Sequence, residues 1–166
     1  MIPVRWYKAR MQITNYWQPA ELLDIGKLLM AYALALPVGW YREQEAHSIG
    51  VRTFPLVAVA SCGYVLVAVP LGQTDITAQS RVIQGLVAGI GFIGGGAILK
   101  AEGAKSNVHG TATAASIWNF GVVGVAVAQN RFFLAILLAA LNLFALRVLY
   151  PLKMRLAARK EGGDCD

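Results

Sequence analysis

The 166-residue chain is 57% hydrophobic and 14% charged, with 15 Lys and Arg against 9 Asp and Glu. A soluble domain carries about 25% charged residues, so this apolar excess is too large for one small core to hide and argues against a soluble enzyme, a nucleic-acid binder or a disordered regulator. The net charge of +6 then reads as membrane topology and attraction to anionic lipid, with no nucleic-acid partner.

The charges are confined to islands. No Asp, Glu, Lys or Arg occurs in residues 28–41, 53–74, 82–99, 106–130 or 132–146. A helix needs about 20 mostly apolar residues to cross a hydrocarbon layer of about 30 Å. The three middle windows are long enough unaided. The outer two become so if Asp24, Lys27 and Arg147 sit near the headgroups. Backbone polar groups cannot stay unpaired in lipid, so each span is helical. The expected fold is an all-α polytopic membrane helical bundle of about five transmembrane helices, with no strand-like alternation competing.

Residues 1–21 mix Arg5, Lys8 and Arg10 with Trp6, Tyr7, Tyr16 and Trp17, which suits an interfacial segment or a flexible tail. Met1 and Met11 are both plausible starts, and no signal-peptide pattern is present. The transmembrane domain is expected over 22–150. Span 1 covers 22–41, with Asp24 and Lys27 a turn apart and Pro37 kinking or ending it. Span 2 covers 53–71, closed by Pro70 and Gly72. Spans 3, 4 and 5 cover 81–100, 110–128 and 132–150, and the short 129–131 link demands an antiparallel hairpin. A basic cytoplasmic tail occupies 151–166. Five spans put the termini on opposite sides. Arg42, Arg52, Lys100, Lys105 and the tail cations outnumber those opposite, which predicts a cytoplasmic C-terminus. Cys62 and Cys165 suggest no structural disulfide.

Span 3 holds six glycines, Gly85, Gly89, Gly91, Gly94, Gly95 and Gly96. Gly85/Gly89 and Gly91/Gly95 are small-xxx-small pairs that let helices approach closely. A broken helix lining a polar cavity is the other reading. Gly89 and Gly91 are expected at helix contacts, whereas Ala135 on span 5 should tolerate added volume if it faces lipid. In span 4, His109, Thr113, Ser116 and Asn119 form a polar stripe at helical spacing. It serves as interhelical glue, with Gln84 or Asn142 as partners, or as a functional site. Between spans 1 and 2, Arg42, Glu43, Glu45 and Arg52 form either a solvated turn or an ion-pair cluster, with Arg52 expected to pair with Glu43 or Glu45. His47 and His109 lie apart, and the carboxylates Asp24, Glu43, Glu45, Asp75 and Glu102 are scattered. Neither a metal site nor an enzyme is expected, and no cofactor.

Three ordered motifs carry a family resemblance. Gly39-Trp40-Tyr41-Arg42-Glu43 precedes Gly50-Val51-Arg52-Thr53-Phe54-Pro55-Leu56-Val57-Ala58. Gly89-Ile90-Gly91-Phe92-Ile93-Gly94-Gly95-Gly96-Ala97-Ile98-Leu99 follows, then Val108-His109-Gly110-Thr111-Ala112-Thr113-Ala114-Ala115-Ser116-Ile117-Trp118. They resemble the MgtC/SapB family, the magnesium-transporter-C group of bacterial inner-membrane proteins. Ala112-Thr113 replaces the family's Thr-Thr pair. Only residues 151–166 follow the last span, so the chain looks like a short SapB-type form without the soluble domain of MgtC. The candidate functional or packing residues are Arg42, Glu43, Arg52, Thr53, Gly89, Gly91, Phe92, Gly94, Gly96, Gly110, Thr113, Ser116, Trp118 and Asn119.

The resemblance implies an inner-membrane, multi-pass, non-catalytic regulator tied to magnesium homeostasis, low-magnesium growth and virulence. The partners it implies are the lipid bilayer and a membrane protein such as the F-type ATP synthase; a homo-oligomer is a further expectation. The alternative is a magnesium or other cation transporter or channel, with span 3 as a broken pore helix and Asn119, Thr113 and Gln84 as oxygen ligands.

Overall fold

The computed structural model describes residues 19–44, 50–72, 76–100 and 108–149. The expectations for the N-terminal segment, Glu45, His47, Asp75, Glu102, Lys105 and the tail lie outside the described residues. Five helices account for nearly all of the rest: α1 (Pro19–Gln44), α2 (Thr53–Gly72), α3 (Ile76–Gly96), α4 (Thr111–Ala128) and α5 (Phe132–Phe144). The last continues as one π-helical turn, Ala145–Leu149.

Helix α1 opens on Pro19, whose missing N–H is not needed in a first turn. Glu21 near its start and Arg42 in its last turn complement the helix dipole. Pro37 neither ends the helix nor stops it short, since α1 runs on to Gln44; membrane helices tolerate such a proline when neighbouring groups take up the freed carbonyl. Helix α2 closes over Pro70 and Gly72 as its sequence suggests.

Helix α3 departs most from expectation. It begins five residues earlier than the charge pattern indicates and is continuous rather than broken, then ends at Gly96. The Gly94-Gly95-Gly96 run acts as a terminator, because glycine gives up the most backbone freedom in a helix. The Ala97 N–H closes the end on Ile93 O and Gly94 O, both at 3.1 Å. Leu99–Lys100 (β1) then pairs antiparallel with Val108–His109 (β2), Leu99 opposite His109 and Lys100 opposite Val108. A small strand ladder therefore stands where span 3 was expected to continue and where His109 was expected to head the α4 stripe. His109 belongs to the ladder, not to the helix.

Helices α4 and α5 form the expected hairpin. Asn130 takes a positive φ of 60°, which asparagine tolerates better than most residues, and Arg131 N–H bonds Ala126 O at 2.8 Å.

Helix α4 packs against each of the other four helices. Its apolar stretch is 61% buried, against 17% for residues 132–149, so α4 forms the bundle's axis. Ile117, Phe120, Val123 and Val127 on α4 are fully covered, and Phe120 meets Phe54 of α2 with ring centroids 5.8 Å apart. Ala31, Ala35 and Val38 give α1 a narrow buried stripe at i, i+4, i+7. Ala135, considered as a lipid-facing position, is fully buried.

Residues 21–44, 111–128 and 132–149 are each long and apolar enough to cross a membrane, while the apolar stretch 53–68 of α2 is shorter. The molecule is an all-α membrane bundle.

Candidate functional site

The alternating helices bring the end of α1, the start of α2, the end of α3 and the start of α4 to one end of the bundle. Arg42 is only 3% exposed, and its guanidinium donates to the hydroxyl oxygen of Thr113, itself 4% exposed. This contact joins the last turn of α1 to the first turn of α4. On the neighbouring face, the Arg147 guanidinium lies 5.6 Å from the centre of the Tyr41 ring, tying the end of the fifth span to α1.

Glu43 does not pair with Arg52. Its carboxylate accepts the Val51 N–H at 3.1 Å, Arg52 is exposed, and the ion pair among the described residues is Lys27–Asp24 at 3.9 Å. A backbone N–H ahead of a helix start is a ready partner for a carboxylate. Two glycines make room for this turn. A Cβ on Gly39 would come within 2.9 Å of the Val51 Cα, and one on Gly50 would overlap the Glu43 carboxylate.

Gly110 caps α4 with φ of 89°, and a Cβ there would collide with Ala97 O at the end of α3. Both its conformation and its close approach require glycine. At the opposite end, Lys27 Nζ reaches Ala128 O at 3.4 Å, a cation on the C-terminal carbonyls of α4.

The polar residues of α4 do not converge. Thr113 faces α1, whereas Asn119 Nδ2 donates to Leu138 O of α5 at 3.0 Å. Ser116 Oγ lies 2.9 Å from Ala112 O and 2.9 Å from Asn142 Oδ1. A hydroxyl has one proton and cannot donate to both. Turning the Asn142 amide so that its buried Nδ2, which has no partner among the described residues, donates to Ser116 satisfies the chain. Asn142 is thus the partner the sequence offered, while Gln84 is exposed on α3. Gln84, Thr113 and Asn119 are not assembled into one ligand set. Among the described residues no group of three His, Cys, Asp or Glu is placed to hold a metal ion.

The α3 glycines behave differently from their spacing. Gly85, Gly89, Gly95 and Gly96 would meet nothing within 4 Å if given a Cβ, so they are not close-contact positions. Gly91 and Gly94 do pack, both against the Trp118 ring at 3.5 and 3.2 Å. Phe92 points outward at 86% exposure. The close contacts lie instead on α4, at Gly121 and Gly124. A Cβ on Gly124 would overlap Ala58 O and reach 2.8 Å from Ser61 Cβ, and one on Gly121 would overlap Ile90. The short Gly-x-x-Gly spacing inside Gly121-Val-Val-Gly124 was the available signal. Thr53, at the start of α2, lines a cavity of about 740 Å³ with Leu56, Tyr64, Gly85, Gly89 and Ile93.

The apolar five-helix bundle with its buried arginine clasp defines a polytopic membrane protein. The MgtC family matches residues 28–155. The chain belongs to the MgtC family. It is similar to an uncharacterized protein of Haemophilus influenzae, 29% identical over 89% of this chain and 64% of that protein. It is similar to "Putative magnesium transporter YhiD" of Escherichia coli K12, 28% identical over 78% of this chain and 62% of the relative. It is also similar to Protein MgtC of Salmonella typhimurium, 33% identical over 63% of this chain and 43% of MgtC. The chain therefore spans less than two thirds of the length of each of these relatives. No solved structure matches it.

Proposed function

We propose that the chain is an inner-membrane, non-catalytic regulator of magnesium homeostasis that acts through helix contacts with a membrane-protein partner, with its C-terminus in the cytoplasm. The observation that carries this reading is that the buried and half-buried polar side chains of α4 are committed to joining helices: Thr113 with Arg42, Ser116 with Asn142, and Asn119 with Leu138 O. A cation path needs oxygens facing a shared space, and the Arg42 charge beside Thr113 opposes a cation there. The magnesium link rests on family membership and on the name given to YhiD. The F-type ATP synthase is the partner to try first in co-purification.

The test pairs growth of a magnesium-limited bacterial host expressing the chain with magnesium flux into liposomes holding the purified protein. The regulator reading expects altered growth and flux no higher than in protein-free liposomes. Flux above that background, reduced by Thr113→Val, would establish transport instead.

A further inference from the structure

The cavity between α2 and α3 takes no part in the clasp, and it faces outward. Its walls are Leu56, Ala60 and Tyr64 from α2 and Gly85, Gly89 and Ile93 from α3. The hollow exists because Gly85 and Gly89 present no side chain and meet nothing. The Ser61 hydroxyl on the wall is already spent, donating to Val57 O at 2.7 Å. What the walls offer a ligand is hydrocarbon contact.

The exposed Arg52 immediately precedes Thr53, which lines one end of the cavity. Arg52, Leu56, Ala60 and Tyr64 recur every four residues and so share one face; the helical bonding reaches back to Arg52, whose carbonyl accepts the Leu56 N–H at 3.4 Å. Arg52 is exposed at the head of that face, and neither α2 nor α3 contains an Asp or Glu. From Thr53 to Tyr64 the helix rises about 17 Å at 1.5 Å per residue. That is roughly half of a hydrocarbon core of about 30 Å, so the groove is one leaflet deep and opens at the membrane boundary beside a cation.

We propose that this groove is a binding site for an anionic glycerophospholipid, its acyl chain against Gly85, Gly89, Leu56 and Tyr64 and its phosphate on Arg52. A concave apolar wall facing hydrocarbon is filled by hydrocarbon, and the arginine at its boundary mouth selects the headgroup by charge. A second copy of the chain would leave Arg52 without an acidic counterpart on these two helices, which favours lipid.

Native mass spectrometry of the full chain, delipidated and titrated with dioleoyl phosphatidylglycerol or dioleoyl phosphatidylcholine, tests this. The wild type should retain phosphatidylglycerol in preference. Arg52→Gln should reduce that preference about fivefold while phosphatidylcholine still binds. Gly89→Leu, or Gly85→Leu if the first folds poorly by circular dichroism, should reduce retention of both lipids. The proposal fails if the wild type shows no preference, or if Arg81→Gln rather than Arg52→Gln abolishes it. It fails equally if the species disrupted by Gly89→Leu is a dimer of this chain.

Discussion

Helices α3 and α4 use glycine in opposite ways. Helix α3 carries six glycines and leaves four of them facing open space, whereas α4 carries two, Gly121 and Gly124, and both are pressed against a neighbouring helix. The difference teaches that glycine number and small-xxx-small spacing do not identify a close contact in a membrane helix. What identifies it is the identity of the atoms opposite. At Gly124 these are the carbonyl of Ala58 and the backbone nitrogen of Cys62, rigid parts of α2 that cannot move aside. At Gly89 there are none, and the absent side chain shapes an outer surface instead.

The largest expected effect follows from this contrast. Gly124→Leu should prevent α2 and α4 from docking, at a cost of about 3 kcal/mol or more for overpacking against backbone, and folded protein recovered by size exclusion should fall sharply. Gly89→Leu should leave that recovery near wild type. Equal loss at the two sites would erase the distinction between the helices.

Gly110→Ala sharpens the comparison at the turn that joins them. The substitution places a side chain at φ 89° and against Ala97 O, and the left-handed conformation alone costs about 1–2 kcal/mol. The melting temperature in detergent should drop, with no recovery when Ala is replaced by Ser.

The clasp comes next. Thr113→Val removes the hydroxyl that accepts from Arg42, and leaving a buried charged donor short of an acceptor costs about 1–3 kcal/mol. Thr113→Ser should restore most of the melting temperature, because it keeps the acceptor. If Val and Ser behave alike, the contact does not hold α1 to α4.

The smallest effect concerns Glu43. Its partner is the Val51 N–H, so Glu43→Gln should be nearly silent, and the charge exchange Glu43→Arg with Arg52→Glu should not rescue either single change. A rescued double mutant would return Arg52 to the role of ion-pair partner.

Much of the fold was legible because charge-free windows report the membrane directly. The end of α2, the bounds of α4 and the α4–α5 turn follow from Pro70, Gly72 and the 129–131 link. The ends of α3 were not, since Arg81 lies inside the helix and the triple glycine stops it before Leu99. Arg42 stood out as a charge at a span end, but its partner Thr113 lies 71 residues away, a distance over which spacing carries no information. Asn142 could be proposed for span 4 because lipid forces an amide to find a partner. Gly121 and Gly124 show a small face through their Gly-x-x-Gly spacing, but the α3 and α2 atoms that press on it leave no mark on local pattern.

The most direct measurement compares the melting temperatures of Gly124→Ala and Gly89→Ala in the same detergent. Alanine favours a helix by about 1 kcal/mol over glycine when nothing opposes its methyl group. Gly89→Ala should therefore melt at or above the wild-type temperature, while Gly124→Ala, whose methyl meets the Ala58 carbonyl, should melt several degrees below it by an order-of-magnitude conversion of about 1–3 kcal/mol. Opposite signs at the two positions are the predicted result. A loss at Gly89 with no change at Gly124 would place the close helix contact on α3 and contradict the account.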